Sequence, residues 1–230
     1  VNLIGDDYFN YVISISGYSS GSITQKLLTS GFYSLGKVYD RNSYAPVAYT
    51  LSGFYPSDIG LIDISFVYIS NYRNVNVGYG IYIDVSNIKL TGFAKNNYYI
   101  SNYETISGII SQRYLYFTGN DKNYDRSTIA TVSISNLVGN DTTTYTASFD
   151  NRYAGSGKTV SVSALSNSNY QIYNSTTTAS ILQRLLTATF TGINKVYNAV
   201  TVGSSSYTIS GIILGDIVDI SNIYTSNFID

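Results

Sequence analysis

Ile81, Ile83 and Val85 alternate with Tyr82, Asp84 and Ser86, and the same period of two returns at Val160, Val162 and Ala164 against Thr159, Ser161 and Ser163. Val132 and Ile134 alternate with Ser133 and Ser135 in the same way. Such a period sends one set of side chains into a core and the other into water, as in a half-buried strand. No run of ten residues holds a helical period. The wetted positions are mostly Ser, Thr, Tyr and Asn, and apart from Asn at the turns these suit strands better than helices. Gly-Asn-Asp and Ser-Gly clusters break the runs at roughly the 8–12-residue spacing of small all-β domains. The pattern predicts an all-β chain made of small antiparallel β-sandwich modules of immunoglobulin-like type, with a β-grasp-like module as the alternative.

The alternation is itself repeated. Gln25-Lys26, Gln112-Arg113 and Gln183-Arg184 are each followed about a dozen residues later by KVYDRNS (37–43), KNYDRST (122–128) and KVYNAVT (195–201). A loop with an apolar pair and an acid comes next, at Leu137-Val138-Gly139-Asn140-Asp141 and Ile213-Leu214-Gly215-Asp216, with Phe54-Tyr55-Pro56-Ser57-Asp58 in the same place. Then come Gly78-Tyr79-Gly80 and Gly155-Ser156-Gly157 before a strand, and finally Asn97-Tyr98 and Asn169-Tyr170, with Asp7-Tyr8 as a further copy. Tyr39, Tyr124 and Tyr197 lie 85 and 73 residues apart. That is too long for a solenoid turn and right for a small domain.

The order divides the chain into four stretches. Residues 1–24 read as the C-terminal half of a repeat, 25–112 and 113–183 as complete repeats, and 184–230 as the N-terminal half of another. The additional length of the first complete repeat predicts an added hairpin around Ser57–Gly78. The two halves together would make nearly one whole repeat. This fits a section of a longer array first, with the alternative of a polymer in which the start of one chain completes the end of another by strand addition. The chain opens on Val1 without a leader-like run, which reads as a processed chain or a piece of a longer one.

Lys-Val-Tyr-Asp, an apolar-Gly-Asp loop, Gly-x-Gly-Lys-Thr-Val and Asn-Tyr, in that order, resemble the YDG repeats of large bacterial surface proteins and the related MBG repeats. The second repeat is the best match, with Tyr124-Asp125, Leu137-Val138-Gly139, Gly155-Ser156-Gly157-Lys158-Thr159-Val160 and Asn169-Tyr170. Proteins with such repeats resemble adhesins and secreted filamentous proteins, so the resemblance implies a structural or interaction role without catalysis. Two departures stand out. The Gly that follows Tyr-Asp in that family is Arg41, Arg126 and Ala199 here, which predicts that the turn does not require positive φ. Asn198 replaces the Asp of the third motif, so any ion pair made by that Asp should be lost there.

Composition narrows the function. Charged residues make up 12% of the 230, and the net charge is −1. The scattered Lys and Arg give no clustered cation for nucleic acid. No apolar run is long enough to span a membrane as a helix. Cys, His, Met and Trp are absent and Glu104 is the single Glu, which argues against a disulfide framework, a thiolate metal site or a histidine base. A carboxylate glycosidase would need two acids across a cleft. An uncharged-polar, aromatic, sulfur-free chain points to an extracellular or cell-surface location.

Several residues are candidates for more than structure. Lys37, Lys122 and Lys195, each followed by Asp40, Asp125 or Asn198, fit either an intramolecular Lys–Asn isopeptide or a simple turn. Asp6-Asp7, Asn140-Asp141 and Asp216 with Asp219 are oxygen-rich loops where calcium is conceivable, though carboxylates are few. Gly78, Gly80, Gly155 and Gly157 read as strand-opening turns rather than a phosphate cradle. Asn140 and Asn174 fall in glycosylation sequons at a frequency expected by chance. Tyr39, Tyr98, Tyr124, Tyr170 and Tyr197 recur at fixed phase and are expected in the core or at a corner, with hydroxyls bonded to backbone. Tyr68, Tyr72, Tyr79, Tyr82, Tyr99 and Tyr103 vary between repeats and form a possible binding surface for glycans or proteins. The partners expected are further copies of the repeat or chain, and surface glycans.

Overall fold

The computed structural model describes residues 1–64, 68–220 and 226–227. They form strands joined by turns and three short 3-10 segments. No described helix is long and apolar enough to cross a membrane. The chain divides into two compact units. One comprises Val1–Leu35, Tyr44–Arg73 and Tyr82–Gly108, and the other Gly36–Ser43, Asn74–Ile81 and Ile109–Asp230.

The second repeat, within the latter unit, shows the pattern most fully. Arg113–Gly119 lies between Val132–Ser135 and Tyr170–Ile172 in a three-stranded sheet. A four-stranded sheet runs in the order Lys122–Asn123, Thr176–Leu182, Gly155–Ser163, Thr146–Phe149. Leu115, Phe117 and Val132 from the first sheet and Phe149, Val160, Val162 and Ile181 from the second are buried. Each such side chain contributes about 1.5–3 kcal/mol on leaving water. The alternation around Val160 is therefore the inward face expected from its period. It ends at Ser163, because Ala164 turns into the left-handed region at φ 59° and is exposed.

The ladders are not purely antiparallel. Among the described residues, Lys26–Leu27 with Tyr98–Tyr99, Lys37–Val38 with Ile110–Ser111, Arg113–Leu115 with Tyr170–Ile172, and Lys122–Asn123 with Ile181–Leu182 are parallel. Parallel neighbours need a long connection, and here nearly the whole repeat supplies it. The register is conserved between repeats, with Lys26 opposite Tyr98 and Arg113 opposite Tyr170.

In the other unit, Thr29–Ser34 pairs antiparallel with Val47–Ser52, and Ile69–Tyr72 with Ile83–Ser86. Leu28, Phe32, Ile64, Ile83, Val85 and Tyr98 are buried there. The added hairpin expected around Ser57–Gly78 takes a different form. Asp63–Ile64 pairs with Leu90–Thr91, so the extra residues lengthen both arms of the existing hairpin; residues 65–67 of that stretch lie outside the described residues.

Residues 1–25 carry one 3-10 turn, Tyr8–Asn10, and no strand. At the other end, Thr187–Ile193 pairs antiparallel with Val202–Ser210, which pairs with Ser226–Asn227. Every residue of Thr187–Ile193 is exposed.

Candidate functional site

Each K-x-Y-[D/N] motif folds back on its own lysine. Lys37 Nζ donates to Asp40 Oδ1 at 2.6 Å and to the Asn42 carbonyl. Lys122 Nζ donates to Asp125 Oδ1 at 2.7 Å, to the Ser127 carbonyl and hydroxyl at 3.0 Å and to the Ile129 carbonyl at 2.9 Å. Lys195 Nζ donates to Asn198 Oδ1 at 3.0 Å, to the Val200 carbonyl and to the Val202 carbonyl at 2.8 Å. The same Asp or Asn oxygen accepts from the N–H two residues on, at Asn42, Ser127 and Val200. The lysine is thus the internal strut of an Asx turn. Asn198 keeps the geometry and loses only the charge. The Lys122 bond is the main influence that lowers the Asp125 carboxyl; at Asp40 burial pushes upward, but the Lys37 bond outweighs it and the net shift is downward. The Lys37 and Lys122 side chains are largely covered, at 9% and 17% exposed, whereas Lys195 is exposed.

This strut places the next side chain. Tyr39 N–H donates to the Ser111 carbonyl and Tyr124 N–H to the Leu182 carbonyl, both at 2.9 Å, which aims each ring away from its own turn. The Tyr39 hydroxyl donates to Asp141 Oδ2 at 2.9 Å, and Tyr170 donates to the same oxygen at 2.7 Å. The two rings meet edge to face with centroids 5.4 Å apart. Tyr170 also accepts from the Val138 N–H at 3.0 Å. Arg41 reaches Asp141 Oδ1 at 3.3 Å. One carboxylate therefore joins the turn of the first repeat to the loop and closing tyrosine of the second.

The arrangement recurs. Tyr124 donates to Asp216 Oδ1 at 3.2 Å, and Arg126 sits 3.4 Å from the same oxygen while donating to the Leu214 carbonyl at 2.6 Å. In the first repeat Tyr98 donates to Asp58 Oδ2 at 2.6 Å and accepts from the Tyr55 N–H at 3.1 Å. The Asp58, Asp141 and Asp216 N–H groups each close on the carbonyl three residues before, so the three loops are equivalent. The hydroxyl partners are carboxylates as well as the backbone expected from sequence.

No protein-family model, curated protein or solved structure matches the chain. The site must be read from its own geometry.

The electrostatics bind these groups together. The Tyr170 bond, with smaller help from Tyr39 and Arg41, holds the Asp141 carboxyl below its ordinary value against the opposing effect of burial. Burial first, and the Asp141 carboxylate second, push Tyr170 up to about 12. Burial first and the bonded carboxylate second, Asp141 for Tyr39 and Asp216 for Tyr124, raise those two tyrosines, and Tyr98 is raised chiefly by its bond to Asp58.

The positive φ expected to be unnecessary is present in all three turns, at Arg41 (63°), Arg126 (68°) and Ala199 (59°). The left-handed region costs a non-glycine residue about 1–2 kcal/mol. At two of the three positions the arginine that bears this strain is the one that reaches the neighbouring aspartate. The sequence signal was there, an Arg two residues after Tyr in both complete repeats, but nothing local shows where the guanidinium goes.

Tyr39, Tyr98 and Tyr170 are buried as expected from their phase, and Tyr124 is partly buried. Tyr197 departs from the set and is 89% exposed. The proposed surface also needs correction. Tyr72 is buried and shares a hydrogen bond with Ser34, because the alternation of Ile69–Tyr72 turns Ser70 and Tyr72 inward. Tyr68 packs on Phe32 and Tyr49. Tyr79, Tyr82, Tyr99 and Tyr103 are exposed. Arg73 covers the Tyr82 ring and, with Tyr103, bonds Asp84. A cluster missed from sequence lies elsewhere: Tyr173 contacts Tyr114 and Tyr116 with centroids 5.5 and 4.8 Å away, and all three are exposed.

Gly80 and Gly157 take positive φ just inside their strands, and the register of Gly155–Ser163 shifts between Gly155 and Lys158. The shift beside Gly157 is a bulge that opens its strand. Glu104 accepts from Ser30 and the Phe32 N–H. Among the described residues no group of three or more acidic side chains gathers.

Proposed function

We propose that this chain is a repeat region of an extracellular surface fibre, stalk or matrix filament, with a structural or adhesive role and no catalysis. The observation that carries this reading is the recurring joint, in which the tyrosine of one repeat's opening turn bonds the loop aspartate of the next, at Tyr39–Asp141 and again at Tyr124–Asp216. A side chain committed to fixing one repeat to its successor serves length and spacing. Each repeat is taken as a small sandwich of the immunoglobulin-like kind, supported by the sheets of three and four strands in the second repeat, and the resemblance to YDG and MBG repeats belongs to the same reading. The test is immunogold labelling of unpermeabilised source cells with antibody to this chain. Label along surface fibres is the expected result; label found only after permeabilisation overturns it.

A second reading, a glycan- or protein-binding module, is favoured by the exposed cluster of Tyr114, Tyr116 and Tyr173. A glycan screen in which Tyr173→Ala abolishes a wild-type hit would support it, and a blank screen would remove its basis.

A further inference from the structure

Tyrosine is where an oxidant would act on this chain. Cys, Met, Trp and His are absent and Tyr occurs 25 times, so the usual sulfur sinks for oxidation are missing. The tyrosines differ in their surroundings. Tyr39, Tyr98, Tyr124 and Tyr170 are wholly or partly covered, and their hydroxyls donate to Asp141, Asp58 or Asp216. Tyr114, Tyr116 and Tyr173 are 46%, 44% and 61% exposed, and their hydroxyls have no protein partner among the described residues.

Backbone pairing brings these three together. Leu115 lies opposite Ile172 in the parallel ladder, and the Tyr173 N–H donates to the Leu115 carbonyl at 3.0 Å. Tyr173 is therefore the next residue along, beside Tyr116. Tyr116 is held from its other side by its place opposite Ser135, and Leu115, between Tyr114 and Tyr116, is fully buried and anchors the strand. The Tyr116 and Tyr173 ring centres are 4.8 Å apart with planes inclined at 44°. That is the short end of the roughly 4.5–7 Å range of unbonded ring pairs, and the tilt is neither stacked nor edge-on. Tyr114 meets Tyr173 edge-on, at 5.5 Å and 89°. Tyr39 with Tyr170 and Tyr49 with Tyr68 are also near perpendicular, at 80° and 84°, with centres 5.4 and 6.2 Å apart. Perpendicular rings must swing round before two carbons ortho to the hydroxyls meet. A tilted pair already in contact needs far less movement.

We propose that Tyr116 and Tyr173 are an oxidative cross-linking site, joined through their ortho carbons into a dityrosine by a one-electron oxidant of the peroxidase and hydrogen peroxide class. Each phenol gives one electron to the oxidant and its hydroxyl proton to water, which leaves a phenoxyl radical with spin on the ortho carbons. The two radicals form one carbon–carbon bond. Each bonded carbon then loses its hydrogen as a proton and its phenol oxygen regains one. The pair loses two hydrogen atoms in all, and one peroxide is reduced to two waters. Because the backbone holds the rings in contact, coupling within a chain outruns coupling between chains. The bond clips the strand that opens the second repeat to a segment near its end. The proposal goes beyond the repeat-array reading and stands without it.

The test treats the whole folded chain, at low micromolar concentration, with peroxidase and hydrogen peroxide. The expected product is a monomer, 25.2 kDa less two hydrogen atoms, with dityrosine fluorescence. Its tryptic peptide 114–122 should be joined to 159–184, and fragmentation should place the bond at Tyr116 and Tyr173. Tyr116→Phe and Tyr173→Phe keep the ring and remove the phenol, so each should lower the monomer's dityrosine fluorescence about tenfold, while Tyr114→Phe and the exposed Tyr153→Phe should leave it within about twofold. A monomer without dityrosine, oxidation that only joins chains to one another, a bond spread over many tyrosine pairs, or a signal indifferent to Tyr116→Phe and Tyr173→Phe overturns the proposal.

Discussion

Removing the Asp141 carboxylate tests the joint most directly. Asp141→Ala deletes the acceptor of two tyrosine hydroxyls at 2.7 and 2.9 Å and an ion pair with an arginine whose side chain is 48% exposed. Hydrogen bonds to a charged group contribute about 1.5–3 kcal/mol each, and a buried hydroxyl left without its acceptor adds to the loss. The exposed ion pair adds about 0–1 kcal/mol. Simple addition gives about 3–7 kcal/mol, and because contributions within one network do not add in full the lower part, about 3–5 kcal/mol, is expected, a large share of the roughly 5–15 kcal/mol that holds an ordinary domain together. With a urea slope of about 2 kcal/mol per molar, the unfolding midpoint should fall by about 1.5–2.5 M. Asp141→Asn keeps one oxygen and should lose about half as much. The assay is urea unfolding followed by tyrosine fluorescence, extended to a double-mutant cycle with Tyr39→Phe. That change should destabilise wild type by about 1–2 kcal/mol and the Asp141→Ala protein scarcely at all. A midpoint within about 0.3 M of wild type for Asp141→Ala, or an equal effect of Tyr39→Phe in both backgrounds, would refute the reasoning.

Other outcomes follow from the same geometry. Lys122→Met should destabilise by about 2–4 kcal/mol, because four acceptors lose their donor, and amide exchange in residues 124–130 should speed up accordingly. Ala199→Gly should stabilise its turn by about 0.5–1 kcal/mol, since Ala199 bears a left-handed φ without a contact to offset it, whereas Arg126→Gly should gain nothing net because it gives up Asp216 and Leu214; thermal melts distinguish the two. Gly119→Ala should cost about 2 kcal/mol or more by striking Thr178 and Ala179, and Gly192→Ala, which meets open space, should stay within about 0.5 kcal/mol of wild type. Stability should be flat from about pH 4 to about pH 10. The lowered Asp141 pKa means its contribution is present above the unfolded carboxyl value and lost as pH falls through the folded one. The raised Tyr170 pKa means its contribution is full below the unfolded tyrosine value and lost as pH climbs towards about 12. Urea midpoints across pH should trace both limbs, and Asp141→Asn should remove the part of the acid limb due to Asp141.

The strand content and the phase of the anchors were legible in the sequence because both depend on local periodicity. Val160, Val162, Ile83 and Val85 are inward as their alternation requires, and Tyr39, Tyr98 and Tyr170 are buried as their recurrence implies. What the sequence hid depends on distant pairing. Tyr39 and Asp141 are 102 positions apart and belong to successive repeats, so each looked like a member of its own motif. The turn at Arg41 was misread for a related reason: local sterics argue against a left-handed arginine, and the aspartate that favours it lies in the next repeat. Tyr72 was misassigned because Ser70, two residues earlier, disguises the inward face of its strand.

The parallel ladders also govern how the repeat would carry load. Lys122–Asn123 lies near the front of the second repeat and Ile181–Leu182 at its end, and the two run in the same direction side by side. A pull applied at the two ends of the repeat slides these strands along each other, so their hydrogen bonds strain together instead of opening one after another. The lysine strut at Lys122 and the tyrosine just beyond it sit beside that ladder, where shear would be felt first.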